Sequence, residues 1–120
     1  MEEKSRPPGK TTIAPNVLLT IARLTTLNIE GVSRMCYLPG GFNRILHRGY
    51  DEGVQIRIEG DIVFADLYVV LENDVNVREV SRNIQDEVSR AISEMVGMTV
   101  GRVNVHIEDI SYDNEGAVEE

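Results

Sequence analysis

The chain has 120 residues, 42% hydrophobic and 27% charged, a composition that suits one globular domain able to bury a core without disulfides or metal. Its single cysteine, Cys36, excludes an intrachain disulfide and points to a cytoplasmic setting. The net charge of −8 disfavours general phosphate binding, and aromatics at 5% with no Trp argue against base-stacking platforms.

The charge is uneven. Residues 1–50 carry seven basic and three acidic groups, and the remainder carries five basic and seventeen acidic ones. Most such asymmetry is surface solvation, but it leaves room for a local anion patch in the first half. The opening MEEKSRPPGK has no apolar core of a leader peptide. The apolar run Ile62–Leu71 contains Asp66 and is too short to cross a bilayer as a helix. Membrane contact would therefore run through a partner or a surface patch.

Residues 1–10 read as a flexible tail around Pro7-Pro8-Gly9. Thr11–Ala14 fits a short edge strand. Pro15 then suits a helical first turn, and Val17, Leu18, Ile21, Leu24 and Leu27 recur at helical spacing up to the stop signals Asn28 and Gly31. Gly31–Leu38 reads as a strand ended by Pro39-Gly40-Gly41. Residues 42–50 form a loop or short helix that gathers Arg44, His47 and Arg48.

Val54, Ile56 and Ile58 alternate with polar residues, which predicts a half-buried strand. Gly60-Asp61 supplies a two-residue turn, so a hairpin follows, with its second strand from Ile62 to about Glu72. Val63, Ala65, Leu67, Val69 and Leu71 form its apolar face, directed at the helices. Ile62, Phe64, Asp66, Tyr68 and Val70 form a mixed face open to a partner.

Asn76 and Glu79 form an N-cap pair for a long helix from about Val77 to Met98. Its apolar stripe is Val77, Val80, Ile84, Val88, Ile92 and Met95, and Gly97 is its C-terminal cap. Arg82, Asp86, Arg90 and Glu94 line the outer face at i,i+4 spacing, each opposite pair contributing about 0.2–0.5 kcal/mol. A last strand spans Arg102–Ile110, and an acidic tail follows from Tyr112. The order β-α-β-β-β-α-β predicts an α+β two-layer sandwich: a small mixed sheet of about four strands with two helices on one face. The two strands flanking the long helix can be parallel. The domain is expected over residues 11–111, between the N-terminal tail 1–10 and the acidic tail 112–120.

No catalytic constellation stands out. Cys36 and His47 are a nucleophile and base by type, but nothing in the sequence brings them together or supplies a third group. His47 and His106 sit in no metal-ligand spacing, and the acidic residues lack calcium-loop spacing. Neither GxGxxG nor GxxxxGK occurs, so no cofactor is expected. The GxxG loop of a KH-type RNA module is absent too. Arg44, His47 and Arg48 leave binding of anionic head groups or RNA as an alternative. Asp66, a carboxylate inside an apolar strand, reads either as hydrogen-bonded to a neighbouring Arg or backbone N–H, or as a partner contact.

Several segments together resemble the bacterial alkaline shock protein family, the envelope stress response proteins. Thr11-Thr12-Ile13-Ala14-Pro15-Asn16-Val17-Leu18 is similar to the family's opening motif, and Gly31-Val32 follows in place. Ala65-Asp66-Leu67-Tyr68-Val69-Val70-Leu71 resembles its central strand, Val80-Ser81-Arg82-Asn83-Ile84-Gln85 its helix signature, and Val103-Asn104-Val105-His106-Ile107 its closing strand. The likeness covers roughly residues 10–110 and departs between Ser33 and Tyr50, where many members have a longer Gly-rich stretch. It implies a cytoplasmic, non-enzymatic protein of envelope stress, with protein partners that include a membrane anchor in some members. It offers no catalytic residues to carry over. Arg44, His47, Arg48, Asp66, Tyr68, Arg82, Asp86 and Arg90 are the candidate interaction residues. Self-association is expected through the mixed face of the central strand or an exposed edge.

Overall fold

The wholly apolar face of Ile62–Glu72 sets the centre of the fold, because a strand with such a face must bury it. The computed structural model describes residues 8–36, 50–51 and 53–111. They form α1 (Pro15–Leu27), β1 (Val32–Met35), β2 (Tyr50–Asp51), β3 (Val54–Glu59), β4 (Ile62–Glu72), α2 (Val77–Val96) and β5 (Thr99–Ser111). The class is the expected one, an α+β sandwich with both helices on one face of a mixed sheet.

β4 is the spine. β5 runs parallel to it over its whole length, after the α2 crossover. Its other side is shared by two strands placed end to end. β3 lies antiparallel opposite Ile62–Leu67, and β1 antiparallel opposite Val69–Leu71. Tyr68 sits at the joint. Its N–H donates to the Gly53 carbonyl at 2.8 Å, and its carbonyl accepts from the Cys36 N–H at 2.8 Å. The short β2 pairs outside β3.

Val63, Ala65, Leu67, Val69 and Leu71 point under the helices and are fully buried with Val54. They meet Leu18, Leu19 and Ala22 of α1 and Ile84, Val88 and Ile92 of α2 in one core. Burying each large apolar side chain contributes about 1.5–3 kcal/mol, so this layer outweighs the surface ion pairs.

The helix starts where the sequence places it. Asn76 Oδ1 accepts the Glu79 N–H at 3.0 Å, and Gly97 caps the far end in the left-handed region at φ 72°. Asn76→Ala is expected to lower stability by about 1 kcal/mol, read from the shift of a urea unfolding midpoint.

Several details differ from the sequence reading. Thr11–Ala14 is in no strand, since Pro15 starts α1 at once. The first-half stripe is also turned. Leu18, Leu19, Ile21, Ala22 and Thr26 are buried, whereas Val17, Leu24 and Leu27 face outward. Apolar residues occupy both sides of α1, so spacing alone could not choose the inner one. Thr26 is accommodated by donating its hydroxyl to the Ala22 carbonyl at 2.7 Å. On α2 the stripe is Val80, Ile84, Val88 and Ile92, and its expected ends, Val77 and Met95, are exposed. α2 ends at Val96, not Met98, and β5 begins three residues earlier than expected, at Thr99.

Gly31 explains one of the recognised motifs. It holds φ +103°, and a Cβ there would lie 2.8 Å from Val80 Cγ2, so only glycine lets the chain enter β1 beneath the start of α2.

Candidate interaction surface

The face of the sheet away from the helices carries the ordered polar and aromatic side chains. Register places Gln55, Asp66 and Asn104 in one row across β3, β4 and β5, with Arg57, Phe64 and Arg102 in the next. Tyr68 and His106 are opposite each other. Val70 lies on the same face but is buried.

Asp66, Asn104, His106, Tyr68, Arg57 and Phe64 are each held by a neighbour. Asp66 Oδ1 accepts from Asn104 Nδ2 at 3.1 Å and lies 2.9 Å from His106 Nε2, which donates when that nitrogen carries the proton. The His106 ring stacks on Tyr68, with centroids 4.4 Å apart and planes within 11°. The Arg57 guanidinium lies 4.4 Å from the Phe64 ring centroid and 3.4 Å from Glu59. Phe64 also leans over Gly101, where a Cβ would come within 2.7 Å of the ring. Asp66 therefore bonds to Asn104 and His106, side chains of the next strand, and not to an Arg or a backbone N–H. Its side chain is 33% exposed and that of His106 is 39% exposed, so the pair is half-buried and reachable.

The candidates from the sequence separate into three places. Asp66 and Tyr68 meet on this open face. Arg82, Asp86 and Arg90 are exposed on α2, remote from it across the core. The expected i,i+4 pairing there is not formed: Arg90 pairs with Glu87, three residues back, at 2.6 Å. Asp86 and Arg90 border a shallow groove with Ser89, Ser93, Met98 and Thr99. Arg44, His47 and Arg48 lie outside the described residues, as does the loop 39–49 that would gather them.

Sequence reasoning placed Phe64 on the mixed face but missed His106, Asn104 and Arg57. His106 reads as a merely exposed residue until strand order and register put it beside Asp66. The available signal was the period-2 match between the two strands, but parity does not state which strands are neighbours.

Chemically the surface is suited to contact. Tyr68 and Asn104 are the described side-chain partners of the Asp66–His106 pair, and neither is a Ser or Cys to be activated. Cys36 stands at the end of β1, and His47 lies outside the described residues. No cluster of three His, Cys, Asp or Glu side chains fit for a metal occurs among the described residues. No helix among them is long and apolar enough to cross a membrane.

Comparison with known proteins places this geometry. Residues 3–112 match the model of the alkaline shock protein 23 family, described as having a cell envelope-related function. The uncharacterized protein Spy1535 of Streptococcus pyogenes serotype M6 is 35% identical over 105 residues, covering 85% of this chain and 79% of that protein. The uncharacterized protein YqhY of Bacillus subtilis (strain 168) is 26% identical over 109 residues, covering 89% and 81%. Among solved structures, MamM-CTD 215-293 shares the fold with a TM-score of 0.50 at 14% identity, covering 80% of this chain and 99% of that one. Identity that low speaks for the fold alone. The family match spans the strands, both helices and the motifs that resemble the alkaline shock proteins, so the chain belongs to the alkaline shock protein 23 family, with its cell envelope-related function.

Proposed function

We propose that this protein is a non-enzymatic interaction module of cell-envelope homeostasis, and that it meets a protein partner through the open face of its sheet. The observation that carries the reading is the state of that face. Its aromatic, cationic and carboxylate groups are fixed by cross-strand contacts while still half-exposed. Covering such a face leaves few polar atoms without partners, because Asp66 already holds two. Tyr, Phe and Arg are the residue types that anchor protein interfaces. The family's envelope-related function supports a site of action at the cell envelope, reached through a partner such as a membrane anchor.

A photo-crosslinking residue placed at Tyr68 is expected to capture a protein in the native cell that the same residue at Arg82 does not. Equal capture from both positions, or none from Tyr68, would remove the open face from the reading.

A further inference from the structure

β5 is the sheet's long edge: its inner side pairs with β4 along the whole strand, and no described strand lies beyond it. A bare edge of this length is a template for another chain. Two features blunt it. The register shifts past Gly101 and again past Glu108, which confines regular geometry to Arg102–Ile107. Between these shifts, Gln85 of α2 reaches across and donates its Nε2 to the Val103 carbonyl at 3.1 Å. One backbone acceptor of the edge is thus occupied by a side chain from the helical layer.

The stretch so guarded is complementary to itself. Val103, Val105 and Ile107 lie on the helix side, and Arg102, Asn104 and His106 on the open side. Antiparallel pairing keeps each residue on the same face as its opposite number, so only alternate registers are allowed. One of these sets Val105 opposite Val105 of a second copy. It places Val103 opposite Ile107 and Asn104 opposite His106, and brings Arg102 to the end of the regular stretch, where the exposed Glu108 follows Ile107. Apolar then meets apolar, polar meets polar, and a cation meets a carboxylate, twice over by the two-fold symmetry. The outward backbone groups are those of Val103, Val105 and Ile107 by the alternation that turns the Val103 carbonyl toward Gln85.

We infer that the β5 edge is a latent pairing surface for a second copy of this chain, and that the Gln85–Val103 contact holds it shut. Pairing requires Gln85 to release the Val103 carbonyl in both copies. The edge pairs through the outward backbone groups of β5, whereas the open face is centred on β4; Arg102, Asn104 and His106 border both.

The test is sedimentation of the full chain over a concentration series. Gln85→Ala is expected to tighten dimerisation by about tenfold, as two carbonyls per dimer become available. In the Gln85→Ala background, Arg102→Glu and Glu108→Arg are each expected to weaken the dimer about fivefold or more, by setting like charges side by side. An equimolar mixture of those two variants is expected to restore it, since each heterodimer regains both opposite-charge contacts. Arg102 and Glu108 are exposed, so thermal midpoints serve as the folding control. If Gln85→Ala associates no more tightly than the parent, the guard is disproved. If the mixture stays as weak as the single variants, the β5 pairing is disproved, even where some oligomer forms. Neither result touches the Tyr68 crosslinking outcome, which judges the open face separately.

Discussion

Gly53→Ala is expected to lower the unfolding free energy by about 2–4 kcal/mol, among the largest losses available to a single methyl group in this fold. Gly53 holds φ +83°, where an L side chain is strained. Its new Cβ would also lie 2.6 Å from the Cys36 carbonyl oxygen and 2.8 Å from that of Tyr68. Both are backbone oxygens, that of Tyr68 already accepting the Cys36 N–H, so neither can swing aside as a side chain could. Gly60 supplies the control. It holds φ +64° in the β3–β4 turn, but nothing lies within 4 Å of the place its Cβ would take. Gly60→Ala should cost only about 1 kcal/mol, from the backbone alone. Guanidinium unfolding of both variants decides the matter. Equal losses would show that the joint at Tyr68 is not tightly closed.

Leu67→Ala is expected to cost about 3–4 kcal/mol. Leu67 is fully buried at the middle of β4, flanked by Val54 on β3 and Val105 on β5. Strands on both sides hold the backbone in place, so the cavity cannot collapse easily. The same substitution at Leu24, which is 54% exposed on α1, should cost less than about 1 kcal/mol. A domain of this kind has roughly 5–15 kcal/mol in total, so the first variant should melt many degrees lower and the second hardly at all. Comparable losses at both positions would mean that α1 is turned the other way, with Leu24 inward.

That contrast also marks how far the sequence could be read. β4 was legible because one face is wholly apolar and burial follows that face along the strand, Val70 being the one open-face residue also buried. α2 was legible because Asn76 and Gly97 mark its ends and its inner face is purely aliphatic. α1 was read only in part: Leu18 and Ile21 are buried as expected, but Val17, Leu24 and Leu27 mimic a core stripe while Leu19, Ala22 and Thr26 complete the inner face. Small and hydroxylic residues give a weak signal even where packing selects them. The open face was legible only along β4, where Asp66 and Tyr68 share a parity. Its other half, Asn104 and His106, belongs to a strand 40 residues away in the case of the Asp66–His106 contact, and becomes adjacent only through the parallel crossover. Ion pairing was least legible: Arg90 had three acidic neighbours within helical reach, and geometry settled on Glu87.

The joint at Tyr68 has a consequence for the chain between its two bonds. Cys36 and Gly53 are pinned to the same residue of β4, one on its carbonyl and one on its amide. The two ends of the intervening stretch, residues 37–52, are therefore fixed by backbone bonds that do not depend on its sequence. Lengthening a flexible connection whose ends are fixed in this way adds about 0.6 kcal/mol of loop-closure entropy for each doubling. The joint thus separates the register of the spine and its two neighbours from the length and sequence of the chain between Cys36 and Gly53.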